Sequence, residues 1–224
     1  EIKLIKYRAL FLPFFFLNFS NIVNSSSENS LYEILTTEEE NLFLKTLLNL
    51  NFYSAKFTQK TLQEDKERRI EGNILANRTG KFKLTYTAPL NEIISYDGKN
   101  LYRYDKDLEQ LTIQPSENIL KETPIGLFSL NIEEIRNLFL LSECKKNLDN
   151  FSCLLINKDK NSIIPAIRVN LRNGIINLIT FTDSFKQTVF IEFRDINTNQ
   201  FPEKDLELII EEGTDIVNLN KDIE

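Results

Sequence analysis

Apolar and polar residues alternate through residues 71–110 in short runs: Ile74 and Ala76, then Phe82, Leu84 and Tyr86, then Ile93 and Ile94, then Leu101, Tyr102 and Tyr104. A period of two turns one side of each run to a core and the other to water, which marks half-buried strands. Turn residues separate the runs at Thr79-Gly80, Pro89-Leu90-Asn91 and Asp97-Gly98. Asp-Gly tolerates the positive φ angles of a type I′ hairpin, so residues 93–96 and 100–104 are predicted to pair antiparallel. The outcome is a meander with one apolar face in need of cover.

Upstream, Thr37 is placed to cap a helix, Glu40 completes a capping box, and Phe43, Leu44, Leu47 and Leu48 form an apolar stripe at helical spacing. Residues 52–62 read as the first strand, with Tyr53, Ala55 and Phe57 on one face, and residues 63–69 as a charged loop. Residues 123–130 break the strand pattern. Pro124 suits a first helical turn and Gly126 loosens it, giving a short apolar helix or loop that bears Ile125, Leu127, Phe128 and Leu130. This segment is either a core-capping turn or a mobile lid. Residues 132–141 are either a helix running into a strand or a second lid segment.

Strands resume at 139–144, 151–157, 164–171, 175–181 and 187–195, with Asn173-Gly174 as a second two-residue turn, and residues 201–219 close the chain around a turn at Gly213. The six glycines fall at turns or strand junctions on this reading. Helix is the minor component, so the fold class is mainly β. With no internal repeat and no linker, residues 26–224 are predicted to form one domain.

Residues 1–25 stand apart. Lys3, Lys6 and Arg8 precede the apolar run 9–17, which is short for a bilayer and contains Pro13, and the small residues Ser25, Ser26 and Ser27 follow. The pattern is that of a secretory signal, with an uncleaved membrane anchor as the competing reading; no cysteine follows that could carry a lipid anchor. The net charge is −6, and the +2 of residues 1–25 leaves −8 on the rest. An acidic body without a basic stripe has no footprint for nucleic acid.

Candidate chemistry is sparse. The chain has no His, which removes the commonest general base and the Ser-His and Cys-His nucleophile systems. There is no phosphate loop, dinucleotide glycine motif or metal-ligand spacing, so no enzyme activity, cofactor or metal site is predicted. Glu92 with Asp105 is a conceivable carboxylate pair of the kind glycosidases use, but among 33 acidic residues a solvated surface is the better reading of it. Cys144 and Cys153 flank a turn, and in an exported chain they are expected to form a disulfide worth about 2.5–3 kcal/mol by loop entropy; two unpaired buried thiols are the alternative.

One ordered set of residues resembles a known family. It comprises Phe57-Thr58-Gln59, Gly72, Arg78 two residues before Gly80, Ala88-Pro89, Asp97-Gly98-Lys99, residues 101–105 and residues 108–112. It continues with Thr123-Pro124, Asp183 with Gln187-Thr188, and residues 213–216. The set is similar to the outer-membrane lipoprotein carrier protein family, LolA, and runs in that family's order from residue 52 to 217. It departs at Thr79, where the family usually has Pro, at Leu84, where a strand Trp is usual, and at Glu211-Glu212 in place of a Pro pair.

The resemblance implies an unclosed antiparallel β half-barrel with a few short helices covering its apolar concave face. It implies a monomeric periplasmic chaperone that takes acylated lipoproteins from an inner-membrane ABC transporter and passes them to an outer-membrane lipoprotein acceptor. A related exported half-barrel that senses or scaffolds lipidated or unfolded envelope proteins is the alternative. Tyr53, Ala55, Phe57, Ile74, Ala76, Phe82, Leu84 and Tyr86 would then line the lipid cavity, and Ile125, Leu127, Phe128 and Leu130 would form the lid. Arg78 shares strand parity with Gly72, Ile74 and Ala76, and the family's matching arginine holds the lid shut; a surface ion pair is the competing reading.

Overall fold

Strands form where the alternation places them, and they join into one sheet. The computed structural model describes residues 38–219 apart from 65, 88 and 116–118. In chain order the elements are α1 (Glu38–Leu48), β1 (Phe52–Gln63), β2 (Lys66–Asn77), β3 (Phe82–Tyr86), β4 (Glu92–Tyr96), β5 (Asn100–Asp105) and β6 (Gln110–Pro115). Then come α2 (Ile119–Glu122), a 3-10 turn (Pro124–Phe128), α3 (Ile132–Leu138), β7 (Phe139–Asn147), β8 (Asn150–Asn157), β9 (Ala166–Arg172), β10 (Ile175–Thr182) and β11 (Thr188–Asn197). A second 3-10 turn (Glu203–Leu206) and β12 (Asp215–Asn218) complete the chain.

The order across the sheet is β12-β6-β5-β4-β3-β2-β1-β11-β10-β9-β8-β7. Its two ends do not pair, so the sheet is an unclosed half-barrel. Every ladder is antiparallel except that of β12 on β6. Cross-strand partners share a face, and register therefore sorts the side chains. One inner row runs Tyr53, Ala76, Phe82, Tyr96, Leu101, and the next runs Ala55, Ile74, Leu84, Ile94, Arg103. A third joins Phe193, Phe57, Gly72 and Tyr86. The helices cover this inner face: α1 packs on β7, β8 and β10, with the Phe43 ring edge-on to Phe151 at 5.1 Å.

Several local expectations change. The charged segment 63–69 is not a loop, because β1 and β2 pair out to Gln63 and Lys66. Its charges report that this end of the hairpin is solvated, and exposed strands keep their ladder hydrogen bonds. The β4–β5 turn centres one residue later than expected, on Gly98-Lys99: Gly98 alone has positive φ, +101°. Asp97 instead accepts from the Lys99 and Asn100 amides through its side chain. Asn173 and Gly174 both have positive φ, as a type I′ turn requires.

Gly72 lies inside β2, not at a junction. A Cβ there would meet the Thr85 carbonyl at 2.5 Å and the Phe57 ring at 2.8 Å, so the absent side chain is what lets Phe57 lie flat over the sheet. Residues 132–138 are a helix that runs directly into β7, opened by a capping box in which Asn131 accepts from the Glu133 and Glu134 amides and Glu134 accepts from the Asn131 amide. The leader of residues 1–25, the Thr37 cap and Ala88 lie outside the described residues.

Candidate functional site

Arg78 stands immediately after β2, in a turn built by its neighbours. The Asn77 side-chain oxygen accepts from the Thr79 amide, the Thr79 hydroxyl and the Lys81 amide, and Gly80 takes φ of +91°. The guanidinium is thereby aimed beneath the helices. Its Nε donates to the Leu50 carbonyl at 2.8 Å and its Nη2 to the Leu47 carbonyl at 2.6 Å, at the C-terminal end of α1. Its Nη1 donates to the Leu127 and Leu130 carbonyls, both at 2.9 Å, in the segment after α2.

One side chain thus ties two covering elements to the sheet. A cation at a helix C-terminus also meets the negative end of the helix dipole. No carboxylate is paired with it among the described residues, and burial pulls its pKa down to about 10. Arg78 remains charged at neutral pH while held by carbonyl dipoles alone. Such bonds are individually strong but open to competition from water.

The covering segment presents Ile125, Leu127, Phe128 and Leu130 to the sheet, and all four are buried. The Phe128 ring lies 4.4 Å from that of Tyr53 and 5.5 Å from that of Phe193. Of the inner-face residues picked from the sequence, Tyr53, Ala55, Phe57, Ile74, Ala76, Phe82 and Tyr86 are buried, and Leu84 is half-buried. The covering side chains are thus buried against the inner face of the half-barrel. Tyr53 is more than a greasy wall: its hydroxyl donates to the Ile176 carbonyl at 2.7 Å, and burial raises its pKa. The Sγ atoms of Cys144 and Cys153 are bonded across β7 and β8.

The sequence reading missed half of the inner face. Val169, Leu171, Ile176, Ile179 and Phe193 from β9, β10 and β11 are equally buried there, and they carry the same alternation as β1–β3. The reading of Glu92 as solvated surface is also overturned. It is 3% exposed and sits on the inner face, where it accepts from the Nε of Arg103. Alternation with Ile94 and Tyr96 is the signal that could have placed it. Burial raises the Glu92 pKa, and the bond and charge of Arg103 oppose that rise.

On the opposite face, residues 203–210 cross β3–β6. The Ser95 hydroxyl and the Lys83 ammonium donate to carbonyls of Leu206 and Asp205. Between this segment and the sheet lies a cavity of about 620 Å³ whose walls include Tyr102, Leu111, Leu206, Leu208 and Ile210. Among the described residues no group of three His, Cys, Asp or Glu side chains is placed to hold a metal, and no helix is long and apolar enough to cross a membrane.

Comparison with known proteins matches this sequence to a family. The family model described as outer membrane lipoprotein carrier protein LolA matches residues 49–207. An outer-membrane lipoprotein carrier protein of Pseudomonas putida is 31% identical over 166 residues, covering 73% of this chain and 80% of its own. One of Nitrosomonas europaea is 30% identical over 179 residues, covering 78% and 86%. Both are named as carriers, not enzymes. Among solved structures, an uncharacterized conserved protein of Thermus thermophilus superposes with a TM-score of 0.51 over 80% of this chain and 96% of its own, at 9% identity, a likeness of fold alone. With the family model spanning most of the sheet and two relatives covered over most of their length, the chain belongs to the outer membrane lipoprotein carrier protein family, LolA.

Proposed function

We propose that this protein is a periplasmic chaperone that holds the acyl chains of lipoproteins against the inner face of its half-barrel. It receives them from an inner-membrane ABC transporter and delivers them to an outer-membrane acceptor. In this proposal residues 1–25 are the export signal, and the remaining residues act as one monomeric carrier domain. The observation that carries it is the double attachment of Arg78, to the end of α1 and to the segment holding Leu127 and Leu130.

Magnitudes make the exchange workable. A buried methylene is worth about 0.8 kcal/mol, so one chain of roughly fifteen methylenes gains on the order of 10 kcal/mol on leaving water. A hydrogen bond to a charged group is worth about 1.5–3 kcal/mol. Cargo can therefore displace the Arg78 contacts and the covering side chains. Phe128 and Leu127 then compete to return, which lowers the cost of surrendering the cargo to an acceptor.

The test is a reconstituted transfer. Purified protein is incubated with inner-membrane vesicles bearing the transporter and a triacylated lipoprotein, then with outer-membrane vesicles. The expected result is ATP-dependent release into a soluble one-to-one complex, followed by transfer. Release no greater than in the absence of the protein refutes the proposal.

A further inference from the structure

An ion pair faces the apolar hollow, toward the end of the sheet opposite Arg78. Register places Arg103 in the inner row with Ile74, Leu84 and Ile94. Glu92, two residues from Ile94, lies in the next row, across from Asp105. Arg103 donates Nε to the Glu92 carboxylate. The Glu92 side chain is 4% exposed and that of Arg103 33%.

Burying a carboxylate against apolar neighbours is unfavourable even when it is paired, and an apolar pair of similar volume would pack there at least as well. Stability alone gives no reason for these two residues. A guanidinium has five N–H donors in a fixed fork. Among the described residues the Arg103 side chain makes no hydrogen bond besides the one through Nε. The forked end, held in orientation by Glu92, presents its remaining donors at the border between the hollow and water.

The surrounding charge decides what those donors accept. Glu92 already neutralises Arg103, and its row continues through Asp105 and Gln110 to Asp215. A carboxylate or phosphate brought to Arg103 would also meet the Glu92 carboxylate bonded to its attractor, so repulsion offsets much of the gain. A neutral carbonyl oxygen meets no such opposition and still makes a charge-assisted bond. Ester and amide carbonyls are the neutral acceptors found where acyl chains join a polypeptide.

We propose that the free end of Arg103, positioned by Glu92, receives the ester and amide carbonyl oxygens at the head of an acylated polypeptide, and that Glu92 makes the site discriminate against free fatty acids and phosphate-headed lipids. The proposal rests on the carrier function above and adds a polar subsite with its own selectivity to an otherwise apolar hollow.

The experiment is displacement of a fluorescent apolar probe from the purified protein by a synthetic triacylated cysteinyl peptide, by palmitate and by phosphatidylglycerol. The wild type is expected to prefer the peptide over palmitate by at least about tenfold. Glu92→Gln leaves Arg103 without its counter-charge, so palmitate affinity is expected to rise about tenfold relative to peptide affinity. Arg103→Lys is expected to keep the fold and weaken the peptide, because an ammonium lacks the fork. The double variant Glu92→Leu with Arg103→Leu, which leaves no charge buried, is expected to lose the discrimination.

A palmitate-to-peptide ratio in Glu92→Gln equal to that of the wild type overturns the subsite. Should thermal melting show that Glu92→Gln does not fold, the double variant decides, and an unaltered ratio there overturns it. Failure of the peptide to displace the probe from the wild type defeats the carrier function and this inference together, whereas displacement with unaltered ratios defeats the inference alone.

Discussion

Replacing Arg78 by leucine removes the guanidinium donors from the carbonyls of Leu47, Leu50, Leu127 and Leu130. Two of the four bonds hold the segment over the hollow, and at about 1.5–3 kcal/mol each they are worth roughly 3–6 kcal/mol before costs. Against them stands the desolvation of the guanidinium, whose pKa of about 10 corresponds to roughly 3 kcal/mol. The net loosening is about 2 kcal/mol, which shifts the open-to-closed ratio by roughly thirtyfold. When only the open form binds an apolar ligand, apparent affinity scales with the open fraction. A fluorescent apolar probe should therefore bind Arg78→Leu about ten- to thirtyfold more tightly than wild type, and acylated cargo should transfer to acceptor-bearing vesicles more slowly by a similar factor. Arg78→Lys keeps the charge but not the geometry that reaches four carbonyls, so it should fall between. Unchanged probe affinity together with unchanged transfer in Arg78→Leu, at wild-type melting temperature, would refute the latch.

Further outcomes follow from the same contacts. Cys144→Ser, or reduction of the wild type, should lower stability by about 2.5–3 kcal/mol and the melting temperature by roughly 5–12 °C, read by calorimetry with and without reductant. Gly72→Val should cost about 1–3 kcal/mol, because its Cβ meets the Thr85 carbonyl as well as Phe57; adding Phe57→Leu should not restore it, since the carbonyl stays. Burial raises the Glu92 pKa despite Arg103, with Asp105 also raising it, so the native state takes up this proton at a higher pH than the unfolded chain does. Its contribution to stability therefore increases as pH falls through the raised folded value, and levels off below the ordinary glutamate range. Urea midpoints of wild type minus Glu92→Gln should show that slope, and a difference flat with pH would contradict it.

Much of the sheet was legible because a period of two is a local signal. Residues 53–57 and 82–86 alternate strictly, whereas the parity of Arg78 with Ile74 and Ala76 left a surface ion pair open, and only the family resemblance favoured the lid. Asn173-Gly174 announced its hairpin by turn chemistry alone. The failures share a cause: polarity reports solvent, while backbone pairing and long-range contact are separate matters. Lys66, Arg68 and Arg69 suggested a loop when they mark the wet end of a paired hairpin. Glu92 looked like one more surface charge, because burial depends on Arg103 eleven residues away. The parallel pairing of β12 with β6, and the crossing of residues 203–210 over the outer face, join parts of the chain about a hundred residues apart. No local pattern in either part specifies such a contact.

The central claim is that the space now filled by Phe128 and Leu127 is exchanged for fatty acyl chains. Native mass spectrometry of the protein isolated from the envelope of its own host tests this most directly. The account predicts a one-to-one species carrying a triacylated polypeptide, lost on enzymatic deacylation of the cargo. A protein that comes free of acylated polypeptide, or that holds deacylated polypeptide equally well, would contradict it.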